Sequence, residues 1–316
     1  MSAVSVEVCE VIIDYVALEN NAPIPSGLAP QYQLQRRQLD LVSCALTCRA
    51  WLPRSRYHLA TRTLINGRLK LEQTTKLLKA SPSQAALIHD LYVCSPPRPY
   101  SSLEDSHSFS HWSHLFPLRL SGVILNLEKL VLVDLNWRFL HPSFFVVAPR
   151  LTSTITTLWM YNLSFNNPGR LTAVLSMMPS LRTLEIVSAN FDSSKRSDSG
   201  SRQISDFPDL QEVRLRRTSH IDPLLSWLSS RVRSLHSLAL DVHKSSGPLC
   251  EFLREVPLLS KLHISFASRV PDAKLDEFIG ARILNGALPR MIFTTFPFRE
   301  PGFCCAQMSA LPGRGG

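Results

Sequence analysis

Three histidines in one short stretch have a spacing that could hold a metal ion. His107, His111 and His114 stand at i, i+4 and i+7, which would place three imidazoles on one face of a helix, and neutral imidazole is a common metal ligand. The surrounding run up to Ser113 is rich in serine and has no helical apolar period. A loop does not hold three rings on one face, so this stretch predicts an irregular segment and no metal site.

The cysteines and the standard catalytic motifs indicate no reaction either. Cys44 and Cys48 lie four residues apart on a predicted helix, but no second ligand pair follows at zinc-finger spacing, so we interpret them as small core residues. The chain contains no Gly-x-Gly-x-x-Gly, Gly-x-x-x-x-Gly-Lys, Gly-x-Ser-x-Gly or His-Glu-x-x-His sequence. We therefore expect no enzymatic activity and no cofactor.

A six-residue pattern, Leu-x-x-Leu-x-Leu with Ile, Val or Met as replacements, recurs seven times. Its copies begin at Ile88, Leu127, Ile155, Leu181, Leu210, Leu235 and Leu259. Successive copies are 39, 28, 26, 29, 25 and 24 residues apart, and all but the first interval fall at or near the period of about 20–29 residues that leucine-rich repeats have. Helix-like segments separate the copies, so the pattern predicts one strand and one helix per repeat.

The residues between the leucines of each strand are predicted to point outward and to line the concave sheet of such a repeat domain. Trp, Tyr and Arg dominate the binding energy of protein interfaces. We therefore predict a surface that binds a target protein, formed by Trp159, Tyr161, Glu185, Arg214, Arg216, Asp241 and His263. The alternative is that loops cover this face, or that these residues are only solvated.

Two helices are predicted ahead of the repeats. Ser5 can cap the first helix, whose predicted buried face consists of Val8, Ile12, Tyr15 and Val16. Residues 19–35 are rich in turn-forming residues and predict a loop. The second helix has apolar residues at helical spacing, namely Leu41, Cys44, Ala45, Cys48 and Leu52. Pro53 is predicted to end it.

The order of residue types in these helices resembles an F-box. Ala45-Leu-Thr-Cys-Arg-Ala-Trp51 resembles the Leu-Val-Cys-Arg-x-Trp ending of that motif, and the continuation through Leu59 is similar to F-box-like proteins of large fungal families. Ile12-Ile-Asp-Tyr-Val16 matches the family's opening helix. The hydrophobic positions that match the family are Val8, Ile12, Val16, Leu41, Leu46, Cys48 and Trp51. Some of them must face an adaptor and others must close the core of the module, and the sequence alone does not sort them.

The resemblance implies a substrate-receptor subunit of an SCF-type cullin-RING ubiquitin ligase. The F-box-like module would bind a Skp-family adaptor, and through it the cullin-RING ligase, while the repeats would bind a target protein. Such a receptor acts by raising the effective concentration of its target near the conjugating enzyme. It has no catalytic residues of its own.

The predicted fold is α/β, with a small N-terminal helical F-box-like module followed by an irregular leucine-rich-repeat solenoid. The module covers residues 1–60 with the loop insertion 19–35, the solenoid covers 61–285, and 286–316 form a poorly ordered tail. No apolar run approaches the length of about 18 residues that a membrane span needs, the N-terminus lacks a basic signal region, and the odd cysteine count favours a reducing compartment. We therefore expect a cytoplasmic or nuclear protein that is not bound to a membrane.

Net charge leaves a further alternative open. The chain carries +9 at pH 7, with a pI near 9.4, which is compatible with nucleic-acid binding. The basic excess is spread along the repeats rather than collected in one block, so a dispersed surface charge is the favoured interpretation. The other alternative is a leucine-rich-repeat interaction scaffold that no longer binds the adaptor. A measurement of adaptor binding in solution distinguishes the scaffold from the ligase receptor. A steep fall of affinity for nucleic acid with added salt would support the nucleic-acid binder.

Overall fold

The recurring Leu-x-x-Leu-x-Leu segments all form strands. The computed structural model describes residues 5–19, 30–95, 111–138, 140–191, 209–218, 222–229, 234–242, 247–256, 259–266 and 290–295. Its strands are β1 (Arg62–Ile65), β2 (Asp90–Cys94), β3 (Lys129–Val133), β4 (Thr157–Tyr161), β5 (Ser164–Phe165), β6 (Thr183–Val187), β7 (Asn190–Phe191), β8 (Glu212–Arg216), β9 (Ser237–Val242), β10 (Lys261–Phe266) and β11 (Arg290–Thr295). The seven predicted strands correspond to β2, β3, β4, β6, β8, β9 and β10, which confirms the sequence prediction.

Helices precede and connect these strands. They are α1 (Val6–Glu19), α2 (Pro30–Thr47), α3 (Leu52–Thr61), α4 (Arg68–Ala80), α5 (Pro82–Ala86), α6 (Phe116–Leu120), α7 (Pro142–Thr152), α8 (Pro168–Leu175), α9 (Asp222–Ser229) and α10 (Gly247–Glu255), with a 3-10 helix at His111–Leu115. The fold is therefore mixed α/β, with three helices ahead of the sheet and shorter helices between its strands.

One parallel sheet joins nine of the strands that the structure describes, in the order β1-β2-β3-β4-β6-β8-β9-β10-β11. Neighbouring strands pair in phase with the repeat, so that Leu130 lies opposite Leu158, and Leu158 lies opposite Leu184. This register stacks identical positions of successive repeats, because each strand enters the sheet at the same point of its pattern. A side chain on one face of a strand therefore meets the same position of the next repeat.

The main core lies on the face of the sheet that carries the leucines. Inward strand residues and residues of α4 to α10 belong to one buried cluster, with Leu71, Phe116, Phe144, Leu171, Leu224 and Leu249 as examples from the helices. Each fully buried side chain of this kind stabilises the fold by about 1.5–3 kcal/mol. We call the opposite face of the sheet, which corresponds to the predicted concave surface, the outer sheet face.

The turn after the strands also repeats. Asp134, Asn162, Ser188 and Arg217 directly follow β3, β4, β6 and β8, and all four have positive φ angles between 49° and 58°. The backbone N–H groups of the first three donate to the last carbonyl of the next strand at 2.9 Å. The left-handed conformation of this residue turns the chain away from the sheet. Its N–H group still adds one hydrogen bond to those that join the two neighbouring strands.

The helices at the N-terminus differ from the prediction in two places. The predicted loop 19–35 is wrong for residues 30–35, because α2 already begins at Pro30 and continues through helix-forming Gln and Arg residues. Pro53 does not end the second helix. That helix ends at Thr47, and Pro53 lies in the first turn of α3, where the missing N–H group of proline has no helical partner to lose.

The sheet also extends beyond the predicted repeats. β1 follows α3 without a linker and pairs with β2. Helices α1 to α3, which we call the helical unit, therefore lead directly into the sheet. At the other end, β11 pairs with β10 in parallel. The prediction of a poorly ordered tail at 286–316 is therefore wrong for Arg290–Thr295, and the rest of that segment lies outside the described residues.

Candidate functional site

Helix α1 is apolar on two faces. Cys9, Ile13 and Ala17 are buried, and the last two form the core of the helical unit together with a residue of α2. A second row on α1, at i, i+3, i+4 and i+7, is exposed to solvent and consists of Val8, Val11, Ile12 and Tyr15. We call this row the α1 strip. The prediction that Val8, Ile12 and Tyr15 lie on the buried face is wrong, because the adjacent row of smaller side chains packs against the other helices.

Helix α2 exposes large apolar side chains as well. Leu39 and Leu46 stand seven residues apart, which places them on the same side of the helix, and Leu46 is 81% exposed. Leu41 on the same helix is buried in the core of the helical unit. Exposed apolar side chains therefore lie on two helices of one small unit, α1 and α2, and groups of such side chains mark interaction sites.

The structure sorts the seven hydrophobic positions that match the F-box pattern. Those that contribute to the core of the helical unit are Val16, Leu41 and Trp51. Those that are exposed are Val8, Ile12, Leu46 and Cys48. The interpretation of the cysteines as core residues is right for Cys44, which packs against this core, and wrong for Cys48.

A polar contact joins α1 to α3 at Asp14, the residue before Tyr15 of the α1 strip. The carboxylate of Asp14 accepts two hydrogen bonds from Arg54, at 2.6 and 2.7 Å, and its Oδ1 lies 2.7 Å from Nε2 of His58. The hydrogen bonds from Arg54 and then His58 lower the pKa of Asp14 to about 2. The sequence motifs described above do not include this group. The spacing of Arg54 and His58, four residues apart on one helix face, was the available signal.

The outer sheet face begins with an apolar, buried patch. Its members are Tyr92, Cys94, Val131, Val133, Trp159 and Tyr161, and Leu34 of α2 belongs to the same cluster. The structure places Trp159 and Tyr161 on the predicted face, but their side chains are only 8% and 2% exposed. They are therefore packing residues of this patch, and the prediction that they offer an open surface for binding is not supported by their burial.

Charged residues adjoin this patch. The ammonium of Lys129 lies 3.4 Å from the centre of the Trp159 ring, and its burial lowers its pKa to about 8. In the next strand Glu185, opposite Trp159 in the register, is 1% exposed, and burial raises its pKa. Arg214 lies 3.7 Å from Glu185 and 2.6 Å from Glu212, so the arginine compensates both carboxylates.

The later strands carry the accessible part of the outer sheet face. Arg214, Arg216, Asp241 and His263 are all partly exposed, and they lie on β8, β9 and β10. Asp241 accepts a hydrogen bond from the backbone N–H group of Arg217 at 3.2 Å. Of the seven residues predicted to bind a target, the structure thus groups four on a partly open surface and buries Trp159, Tyr161 and Glu185.

No metal centre is formed within the part of the chain that the structure describes, where no group of three or more His, Cys, Asp or Glu side chains converges. Of the three histidines, His107 lies outside the described residues, and His111 and His114 lie in the 3-10 helix, so the prediction of an irregular segment is wrong for residues 111–113. The ring of His114 is 6.1 Å from that of His141. Among the described residues, no helix has the length and hydropathy needed to cross a bilayer.

Comparison with known proteins adds no assignment. No family model and no curated protein sequence matches this chain.

Proposed function

We propose that this chain is a substrate-receptor subunit of an SCF-type cullin-RING ubiquitin ligase. In this proposal α1 to α3 are an F-box-like module that binds a Skp-family adaptor, and the parallel sheet with its helices is a leucine-rich-repeat solenoid that binds a target protein. The observation that carries the proposal is the α1 strip. Helix α1 is apolar on two faces, and among the residues that the structure describes only one of these faces is buried.

The exposed side chains supply the energy for such an interface. Val11 is 67% exposed, and Leu46 is more exposed still. Burial of apolar area contributes about 25 cal/mol per Å², so covering these side chains with an adaptor would be favourable. Four of the exposed residues are among the positions that match the F-box pattern. The other three positions belong to the core of the helical unit, where Leu41 is buried and Val16 and Trp51 are partly buried. This division agrees with a module that uses one face for its own fold and another for a partner.

A target would contact the later strands. Arg214, Arg216, Asp241 and His263 form a partly open polar surface on β8 to β10, and Arg214 also lies 3.7 Å from the buried Glu185. Arginine is enriched among the residues that dominate interfaces. The proposal therefore assigns target binding to the end of the sheet that is farther from α1 to α3.

Purification of the full chain with a Skp-family adaptor tests the first half of the proposal. We expect the wild-type chain to copurify with the adaptor, and Val11→Lys or Leu46→Lys to weaken binding about tenfold or more, because each places an ammonium in the proposed interface. Trp51→Ala is a poor test, since Trp51 packs on the core of the helical unit and its removal would disturb the fold.

Leu69→Lys is the matched control. Leu69 lies on α4, outside the helical unit, and is 76% exposed, so the same substitution there should leave adaptor binding unchanged. If the wild-type chain does not bind the adaptor, or if all three lysine variants bind equally well, the receptor proposal is wrong and a repeat scaffold is the better description.

A further inference from the structure

Helix α4 exposes apolar side chains on the face that a surface helix ordinarily makes polar. Its buried face packs into the main core. The row at i, i+4, i+8 and i+11 on the opposite face is exposed throughout and consists of Leu69, Gln73, Leu77 and Ala80. We call this row the α4 strip. Helix α4 therefore resembles α1, because each helix buries one apolar face and leaves further apolar side chains in solvent.

The two helices carry opposite charge. Helix α1 has four acidic residues and no basic residue, whereas α4 has four basic residues and one acidic residue. That acidic residue, Glu72, is bound to Arg68 at 3.0 Å. The other three basic residues of α4 are exposed and form no ion pair within the part of the chain that the structure describes, namely Lys70, Lys76 and Lys79.

The free acidic groups of α1 lie beside the α1 strip. Glu7 and Glu10 are exposed, and neither forms a salt bridge with another described residue. Arg54 of α3 is close enough to interact with Glu10, but its guanidinium group already donates two hydrogen bonds to Asp14. The α1 strip therefore has a negative margin that its own chain leaves largely uncompensated.

The charged margins of the two helices match in position. Each residue of an α-helix advances by about 100° around the axis. By this rotation Glu7 and Glu10 lie on one side of the α1 strip, and Lys76 and Lys79 lie on the corresponding side of the α4 strip. Corresponding sides of two helices face each other when the helices pack antiparallel. In that arrangement two glutamates three residues apart meet two lysines three residues apart.

We propose that the α1 strip of one copy of this chain packs antiparallel on the α4 strip of a second copy. Glu7 and Glu10 of the first copy would then lie next to Lys79 and Lys76 of the second. Both strips are exposed within one chain, so they do not cover each other there. Two α4 strips would bring lysines together and two α1 strips would bring glutamates together, so the contact joins unlike surfaces.

This contact goes beyond the receptor proposal and does not depend on it. An adaptor and a second copy would compete for the α1 strip, so adaptor binding would release the chain from self-association. The test below uses the chain alone, and the two proposals can therefore fail separately. At about 1 µM the chain should be monomeric, because a contact between two helices is smaller than a standard interface of about 1,600 Å². Leu69→Lys thus remains a control for adaptor binding at that concentration.

Sedimentation velocity of the full chain between about 5 and 200 µM tests the proposal. We expect the weight-average sedimentation coefficient to rise with concentration across this range. Val11→Lys in the α1 strip and Leu77→Lys in the α4 strip should each weaken self-association about tenfold or more, because each places an ammonium group in an apolar contact. Both residues are exposed, so both variants should keep the stability of the wild type.

A mixture of the two variants distinguishes a contact between unlike surfaces from one between like surfaces. Each variant retains one intact strip, so an equimolar mixture of Val11→Lys and Leu77→Lys should associate although neither variant does so alone. A wild-type chain that stays monomeric at about 200 µM would overturn the proposal. So would normal association of either variant, or a mixture that fails to associate.

Charge reversal tests the antiparallel arrangement. Glu10→Lys and Lys76→Glu should each weaken self-association about threefold or more, and the chain that carries both changes should recover to within about twofold of the wild type. Lys70→Glu is the matched control, because Lys70 lies on the other side of the α4 strip, and it should change association less than about twofold. Absence of recovery, or equal effects of Lys70→Glu and Lys76→Glu, would contradict the proposed contact.

Discussion

At the scale of single residues, Asp14 shows how one side chain fixes the orientation of a surface. It accepts two hydrogen bonds from Arg54 and lies within hydrogen-bonding distance of His58. Asp14 lies between Ile13, which is buried, and Tyr15, which belongs to the exposed α1 strip. Because α1 is apolar on two faces, hydrophobic burial alone does not decide which face turns inward. The bidentate ion pair favours the arrangement in which the α1 strip remains exposed.

Replacement of Asp14 tests this contact. Asp14→Asn should lower the free energy of unfolding by about 1 kcal/mol at pH 7, because the charge-assisted bonds are lost from a partly exposed site. The pKa of Asp14 in the folded protein is about 2, below its ordinary value of 3.8, so the contribution of the carboxylate is present well above pH 3.8 and is lost as the pH falls from there through about 2. Urea unfolding of both proteins between pH 7 and pH 3 measures this difference.

Asp40→Asn is the control for this prediction. Asp40 is an exposed residue of α2, and its replacement should change stability by less than about 0.5 kcal/mol at every pH. A stability difference between wild type and Asp14→Asn that stays constant down to pH 3 and below would contradict the assignment to the ionised carboxylate.

At the scale of elements, the left-handed residue after each strand matters most. Asn and Asp tolerate positive φ well, and they occupy this place after β3 and β4. Ser188 and Arg217 have the same conformation after β6 and β8, where a side chain with a Cβ costs about 1–2 kcal/mol. The third and fourth of these turns therefore hold local strain that the paired strands around them compensate.

Substitution of Ser188 tests that strain. Ser188→Gly should raise the free energy of unfolding by about 0.5–1 kcal/mol, since glycine adopts φ of 58° without a Cβ contact, and Ser188→Val should lower it by at least about 1 kcal/mol. Thermal or urea unfolding measures both. Ser176→Gly, at a residue with φ of −67°, should be destabilising. The explanation fails if both glycine variants shift stability in the same direction.

At the scale of the whole molecule, the N-terminal helices and the sheet form one connected unit. Leu34 of α2 belongs to the apolar cluster on the outer sheet face, and Arg62 of β1 donates a hydrogen bond to Ala17 of α1. β1 follows α3 directly. In the receptor proposal, this connection sets the position of an adaptor relative to a target, because no flexible linker separates the two surfaces.

A substitution at Leu34 should therefore affect both the N-terminal helices and the sheet. Leu34→Ala removes a side chain that is buried between α2 and the sheet, and we expect it to lower the free energy of unfolding by about 2 kcal/mol. Hydrogen exchange should become faster in α2 and also in β2 and β3. Leu39→Ala on the same helix removes an exposed leucine and should leave exchange in the sheet unchanged. Faster exchange confined to α2 would show that the two parts are independent.

Much of the architecture could be predicted from the sequence because it depends on local periodicity. The Leu-x-x-Leu-x-Leu copies identified seven strands, and their spacing identified which side chains share a face, since alternation along a strand is a local property. The same logic placed Trp159, Tyr161 and Arg214 on the outer sheet face. Boundaries near proline were less accurate, because proline is compatible both with the end of one helix and with the first turn of the next.

Only the tertiary structure decided what covers each face. α1 carries two apolar rows, and the sequence pattern selected the row with the larger side chains as buried, whereas packing against α2 and α3 uses Ile13 and Ala17 and leaves Val8 and Ile12 exposed. The outward position of Trp159 likewise did not make it accessible. Burial depends on contacts between residues that are distant along the chain, and periodicity carries no information about those contacts.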